Sequence, residues 1–151
     1  MELKESEQIG KLWFEDMWSI PDFTIADKII DPEYKPDWIN IDMVGPALVK
    51  YEIKQFRSIF HDLVQKVIEI KGEENKVWVW YRANAIHNGG GWGFEPTNKR
   101  IEFEGAALLF INSEGKVFDL WDLYCFYDVL EKLGVVPALG ELHKYLSGFK
   151  K

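Results

Sequence analysis

A glycine-rich turn contains the first residues of this chain that could do chemistry. His87 precedes three consecutive glycines in the run His87-Asn-Gly-Gly-Gly-Trp-Gly93. Its imidazole can donate to, or accept from, a ligand carbonyl or carboxylate near neutral pH. Alternatively, His87 hydrogen-bonds backbone groups and anchors the loop, because a run of glycines has little conformational preference of its own. The glycines do not predict a phosphate cradle, since no Gly-Lys-Ser/Thr follows them.

Arg82 is a second candidate for ligand recognition. Trp80 and Arg82 share one face of the strand predicted over residues 77–87, because alternate side chains of a strand point the same way. An arginine that is buried without a partner is costly. Arg82 therefore either pairs with Glu102 or Glu104 of the next strand or recognises an anionic substrate.

Aromatic side chains are unusually frequent, with 7 Trp, 6 Tyr and 10 Phe. Such rings bury large areas and line small-molecule pockets. Trp78, Trp80 and Tyr81 place rings on both faces of one strand. We expect one face to line a cavity, with Trp80 and Trp121 as walls, and the other face to pack on a helix or on a second subunit.

The last predicted strand, over residues 116–126, contains Trp121, Asp122 and Cys125. In a regular strand Asp122 faces away from Trp121. A β-bulge could turn Asp122 towards the pocket, and otherwise it is a solvated or interface carboxylate. Cys125 is expected in the apolar cavity, where burial raises the pKa of a thiol and makes it a poor acid. It is then either a small buried hydrophobe or a nucleophile.

Helices are expected to precede the strands. Apolar residues at helical spacing predict a helix over residues 4–18, and Pro21 ends it. Asp22 is expected to cap a second helix. Gly45-Pro46 opens a third helix, whose apolar stripe is expected to continue as far as Leu63.

The pattern changes to that of strands after the third helix. Strands are predicted over residues 67–70, 77–87, 100–112 and 116–126, with a hairpin turn at Ser113-Glu-Gly115. Asp128 is expected to cap a short helix ending at Gly134. A final amphipathic helix is expected from about residue 138, with Leu139, Leu142 and Leu146 on its apolar face.

This order of elements predicts an α+β protein. We expect a single domain over residues 1–151, in which a curved, mostly antiparallel sheet forms a cone-shaped barrel. The N-terminal helices are expected to pack on its concave face. Such a cone encloses a ligand pocket.

Composition excludes several classes of function. A net charge of -7 argues against a nucleic-acid surface, and no apolar run approaches the length of a membrane span. The single cysteine fits a reducing compartment, so we expect a cytoplasmic protein. His61, His87 and His143 are far apart in sequence and lack the spacing of metal ligands, so no metal site is predicted.

Several motifs occur in a fixed order. They are the Asp31-Pro-Glu-Tyr34 segment, the third helix from Gly45-Pro46 to His61-Asp62-Leu63, the spacing of His87, Gly93, Pro96-Thr97 and Lys99, and Trp121 followed by Leu133-Gly134. Their combination resembles the SnoaL-like polyketide cyclases, within the superfamily of nuclear transport factor 2-like folds. The resemblance covers nearly the whole chain.

The resemblance implies an intramolecular, aldol-type ring closure without a cofactor, in which an aspartate on the last strand is the general acid/base. That carboxylate commonly follows the tryptophan by four residues, which is Cys125 here. Asp122 is the nearest replacement and the expected catalytic residue. His87 and Arg82 would position the substrate.

Three functions follow from the resemblance. The first is an enzyme of the cyclase, isomerase or lyase type that acts on a hydrophobic or aromatic carbonyl compound. The second is a non-catalytic protein that binds a hydrophobic small molecule, which the cysteine at position 125 favours. The third is a protein whose sheet serves chiefly for dimerisation, and we expect a homodimer because folds of this family often pair through the outer sheet face.

Overall fold

The computed structural model describes residues 3–147. Four helical segments come first: α1 (Glu5–Lys11), a π-helical continuation (Leu12–Trp18), α2 (Phe23–Ile29) and α3 (Gly45–Ile59). The Asp22 carboxylate accepts a hydrogen bond from the Thr24 N–H, so Asp22 caps α2 as expected. Pro46 lies in the first turn of α3, where a missing N–H costs nothing.

Four antiparallel strands follow in the spatial order β1-β2-β3-β4. They are β1 (Phe60–Gly72), β2 (Lys76–His87), β3 (Arg100–Ile111) and β4 (Val117–Tyr124). The turn between β3 and β4 contains Gly115 at φ +74°, a conformation that favours glycine. The chain continues with α4 (Phe126–Leu133), a 3₁₀ turn (Leu139–Glu141) and α5 (Leu142–Leu146).

The helices cover one face of the sheet. On β2 and β3 the odd-numbered residues are buried and the even-numbered residues are half-buried or exposed. The buried face packs against apolar side chains of the N-terminal helices and α3, including Phe14, Met17, Leu48 and Ile53. A second cluster, around Phe60 and Phe103, joins the sheet to α4. The α+β arrangement expected from the sequence is confirmed.

The predicted extent of the third helix was wrong. It ends at Ile59, and Phe60 and Leu63 belong to β1. A bulge at Asp62, which has φ +54°, brings Phe60 and Leu63 to the same buried face although they are three residues apart. Residues three apart also share one face of a helix, so Phe60 and Leu63 continue the apolar pattern of α3 in the sequence.

The C-terminal helices also differ from the prediction. Cys125, not Asp128, is the N-cap residue of α4, although Gly134 ends the helix as expected, at φ +77°. The last helix is shorter than predicted and buries no side chain. Within residues 3–147, no helix has the length and apolar character needed to cross a membrane.

Candidate functional site

A cavity of about 420 Å³ opens between the helices and the inner face of β4. Its wall is mostly aromatic. Seven rings line it, from Trp13, Trp18, Trp38, Tyr51, Phe56, Trp92 and Tyr124, together with Ile41, Ile59 and Leu120. The remaining lining residues are Glu52 and Gln55 of α3 and Asp122 of β4. A few polar groups in an apolar wall are typical of a small-molecule site.

A bulge in β4 turns Asp122 into this cavity. Ile111 pairs with Val117 and Phe110 pairs with Asp119, so Phe118 is an extra residue without a partner on β3. The extra residue reverses the alternation of the strand. After it, Leu120, Asp122 and Tyr124 face the cavity, whereas Trp121 faces outward.

Tyr81 holds the Asp122 carboxylate from two strands away. Tyr81 lies on β2 and is buried, and its hydroxyl donates to Asp122 Oδ1 at 3.0 Å. Its ring crosses β3 at Gly105, the residue that pairs with it. A Cβ at position 105 would clash with the Tyr81 ring and hydroxyl, so only glycine lets the ring cross at this point.

Both carboxyl groups of the cavity have pKa values above their ordinary range. Burial raises the pKa of Asp122 to about 6, although hydrogen bonds from Tyr81 and from the Leu123 N–H favour its charged form. Burial, together with the nearby Asp122, raises the pKa of Glu52 to about 7. Burial also raises the pKa of Tyr124 to about 12 and keeps the Tyr81 hydroxyl protonated.

His87 anchors the glycine-rich loop and does not line the cavity. Its Nδ1 accepts a hydrogen bond of 3.0 Å from the Thr97 N–H and lies 3.0 Å from Thr97 Oγ1. Its ring lies between Phe60 and Phe94, and burial lowers its pKa. His87 therefore does not have the expected position beside a substrate. Its contacts match the alternative, in which it anchors the glycine-rich loop by hydrogen bonding to backbone groups.

The anchored loop places Trp92 at the edge of the cavity. Gly89 approaches the backbone of Ser58 so closely that a Cβ there would clash with it. The Gly89 N–H donates to the Ile59 carbonyl at 3.0 Å. Trp92 then packs edge-on against Phe56, with ring centroids 6.3 Å apart. The glycine run thus brings an aromatic wall to the site.

Three predicted pocket residues lie on the opposite face of the sheet. Trp80 and Trp121 are exposed there, so they are not walls of the cavity. The Arg82 guanidinium lies 2.7 Å from Glu104 and 3.7 Å from Glu102, which is the pairing given as one of its alternatives. The apolar alternation of Tyr81, Ala83 and Ala85 marked the inner face instead.

Cys125 is also outside the cavity. It is exposed and stands at the N-cap of α4, with no hydrogen bond from its side chain to the helix. The expectation that it is buried in the pocket was wrong because the strand ends at Tyr124. No group of three or more His, Cys, Asp or Glu side chains within residues 3–147 is arranged to hold a metal ion.

The model of the family described as SnoaL-like polyketide cyclase matches residues 10–133. The chain belongs to this family. The resemblance noted in the sequence is therefore confirmed. Comparison with curated protein sequences gives no match.

Solved structures share the fold of this SnoaL-like chain at low sequence identity. TsrD from Streptomyces laurentii is 18% identical, has a TM-score of 0.79, and the match covers 89% of this chain and 100% of TsrD. A candidate polyketide cyclase from Acidithiobacillus ferrooxidans is 21% identical, with a TM-score of 0.77 and coverage of 89% and 98%. A SnoaL-like polyketide cyclase from Agrobacterium tumefaciens is 12% identical, with a TM-score of 0.71 and coverage of 87% and 100%.

Sequence reasoning missed three residues of the SnoaL-like site. Glu52 and Tyr124 were not singled out, because one charge on an amphipathic helix and one ring on an aromatic-rich strand are ordinary features. Tyr81 could have been found from the sequence, because it shares an apolar face with Ala83 and Ala85 and pairs with a glycine in a strand. A glycine inside a strand often marks the close approach of another group.

We predict that Gly105→Ala destabilises the protein by about 1–3 kcal/mol, because the new methyl group displaces the Tyr81 ring. Urea unfolding measures the change. In a Tyr81→Ala background the same substitution should cost far less, since the clashing ring is absent. Gly90→Ala is the matched control, because a Cβ at position 90 meets nothing within 4 Å. Equal costs in both backgrounds would contradict the crossing.

The raised pKa values of Glu52 and Asp122 predict that their contribution to stability is lost as pH rises. The folded protein holds these protons more tightly than the unfolded chain, whose carboxyl groups have pKa values near 4.5 and 3.8. The contribution is therefore complete below about pH 4 and disappears as pH rises through about 6 to 7.

Glu52→Gln and Asp122→Asn remove this loss. Relative to the wild type, each variant should gain on the order of 1–3 kcal/mol of unfolding free energy between about pH 4 and pH 8. Chemical unfolding across this range measures the gain. The exposed pair Glu33→Gln and Asp37→Asn are the matched controls. A difference between variant and wild type that does not change with pH would contradict the burial of these charges.

Proposed function

We propose that the protein is a cofactor-independent enzyme of the cyclase or isomerase type, acting on a hydrophobic or aromatic carbonyl compound by general acid/base chemistry. One observation carries the proposal. The Asp122 carboxyl faces an aromatic cavity and is held by Tyr81, and its pKa of about 6 suits proton transfer near neutral pH.

Asp122 is the proposed general base. Its carboxylate removes a proton from the carbon next to the substrate carbonyl, and the electrons of that C–H bond form an enolate. In a ring closure the enolate carbon attacks a second carbonyl, and the resulting alkoxide oxygen takes back the proton. Tyr81 acts as a positioning residue, because its hydrogen bond fixes the direction of the carboxylate without contact with the substrate.

Glu52 supports the acid half of this chemistry. It lines the same cavity from α3, and its pKa of about 7 leaves a large protonated fraction at neutral pH. A protonated carboxyl group can donate a hydrogen bond to an oxygen on which negative charge develops. Two carboxyl groups in one site can thus divide the roles of base and hydrogen-bond donor.

We predict that Asp122→Asn slows proton abstraction by at least about 100-fold, the usual share of a general base. Exchange of the α-protons of 2-tetralone or a related bicyclic ketone in D₂O, followed by NMR, measures this step without requiring ring closure. Asp37→Asn is the control, because Asp37 is exposed and outside the cavity.

The alternative is a non-catalytic protein that binds a hydrophobic small molecule. The cysteine at position 125 was its main argument, but that position lies outside the cavity. A ligand that binds while the wild type accelerates no exchange would favour this alternative. Exchange that is fast and equal in the wild type and Asp122→Asn would remove Asp122 from the mechanism.

We also propose that the protein forms a homodimer through the outer face of its sheet. Trp78, Trp80 and Trp121 are exposed on that face beside Phe118 and Leu123, and Trp78 packs edge-on against Trp121 with ring centroids 6.3 Å apart. Contiguous apolar patches of this kind are typical of interaction sites. A C₂ dimer places the same patch against itself.

The dimer predicts that Leu123→Lys weakens self-association by at least about tenfold, because Leu123 is 62% exposed in the protomer and its replacement puts charge at the interface. Sedimentation at micromolar concentration measures the change. Ile20→Lys is the control, since Ile20 is exposed and lies in the turn before α2, among the helices that cover the other face of the sheet. A wild type that sediments only as a monomer would rule out the dimer.

A further inference from the structure

The charge of the cavity has a single sign. Glu52 and Asp122 are the only carboxyl groups that line it, and no Lys, Arg or His within residues 3–147 lines it. The chain has 18 Lys and Arg residues, so the absence of a positive charge from this wall is not a result of composition. An anionic ligand would therefore meet repulsion without a compensating partner.

Glu52 is half-buried, and among the described residues it has no paired charge that would favour its carboxylate. Elsewhere in the fold, several carboxylates pair with lysines or arginines, as Asp27 does with Lys50. Within residues 3–147, no salt bridge or side-chain hydrogen bond involves Glu52, although burial and the Asp122 charge disfavour its ionised form. A positive charge in the cavity would relieve this penalty for both carboxylates.

The aromatic wall suits the same kind of charge. The faces of Trp, Tyr and Phe rings attract cations, and the attraction is greatest where the cation leaves water. Four of the seven rings in the wall belong to tryptophan, the best partner for this interaction. A substituted ammonium group can therefore be bound by the faces of the rings and by the negative charge of the carboxylates.

We propose that this cavity takes a ligand with a substituted ammonium group, bound among the aromatic rings next to Glu52 and Asp122, in preference to neutral or anionic molecules of the same shape. The inference rests on the proposed function in that it names the substrate class of the same site. A substrate of this class would carry the cation at a distance from the carbonyl, so that Asp122 still reaches the carbon beside it. The binding preference itself requires no catalysis.

Binding of the cation should depend on pH. Glu52 and Asp122 both line the site, and the charge of Asp122 acts on Glu52. Titratable groups beside them include the Tyr34, Tyr81 and Tyr124 hydroxyls, and Asp119 acts on Tyr34. The tyrosines stay protonated between about pH 5 and pH 8 because burial raises their pKa values. The two carboxyl groups therefore set the dependence, and the cation should bind more tightly as pH rises.

Isothermal titration with three meta-substituted phenols, of which the cation and the neutral molecule have nearly the same shape, tests the proposal. They are 3-hydroxyphenyltrimethylammonium, the neutral 3-tert-butylphenol and the anionic 3-hydroxybenzoate. At about pH 8 the cation should bind at least about tenfold more tightly than the neutral molecule, and the anion most weakly. This advantage should shrink several-fold at about pH 5.

Glu52→Gln should weaken binding of the cation by about tenfold and change binding of 3-tert-butylphenol by less than about twofold. Glu33→Gln, in an exposed loop, is the matched control and should change neither. If Glu52→Gln fails to fold, the pH dependence of the wild type tests the same charge. Equal affinities of the cation and the neutral molecule at about pH 8 would overturn the proposal.

The two proposals fail in different ways. Equal affinities together with α-proton exchange that depends on Asp122 would overturn the ligand class and leave the enzyme proposal in place. Preferential cation binding without any exchange would support the ligand class and count against catalysis.

Discussion

The hydrogen bond between Tyr81 and Asp122 is the contact on which the site depends. It joins β2 to β4 across the intervening strand, and it exists only because position 105 has no side chain. A carboxylate on a strand facing an open cavity could otherwise turn towards water. Tyr81 instead fixes Oδ1, and the Leu123 N–H gives the carboxylate a second hydrogen bond, while aromatic side chains line the surroundings.

The two bulges of the sheet explain what could be predicted from the sequence and what could not. Periodicity and capping residues identified the helices before β1, and Gly115 marked the turn between β3 and β4. Periodicity failed where an extra residue changed the alternation. The bulge at Asp62 made the start of β1 resemble a helix, and the bulge at Phe118 exchanged the faces of Trp121 and Asp122.

Contacts between residues far apart in sequence also could not be predicted from periodicity. The pairing of Arg82 with Glu104 could be predicted, because it depends only on the register of neighbouring strands. The presence of Glu52 in the same cavity as Asp122 could not be predicted, since it depends on how α3 packs over the sheet. Family likeness alone pointed to position 125, where a carboxylate would cap α4 rather than reach the cavity.

The proposed site is an aromatic cavity with two carboxyl groups, in which Tyr81 fixes the orientation of Asp122. A ¹³C NMR titration of the Asp122 carboxyl carbon, assigned by comparison with Asp122→Asn, tests this claim most directly. We expect an apparent pKa of about 6. A value near 3.8, the ordinary pKa of an aspartate, would show that Asp122 is solvated and would contradict the proposed site.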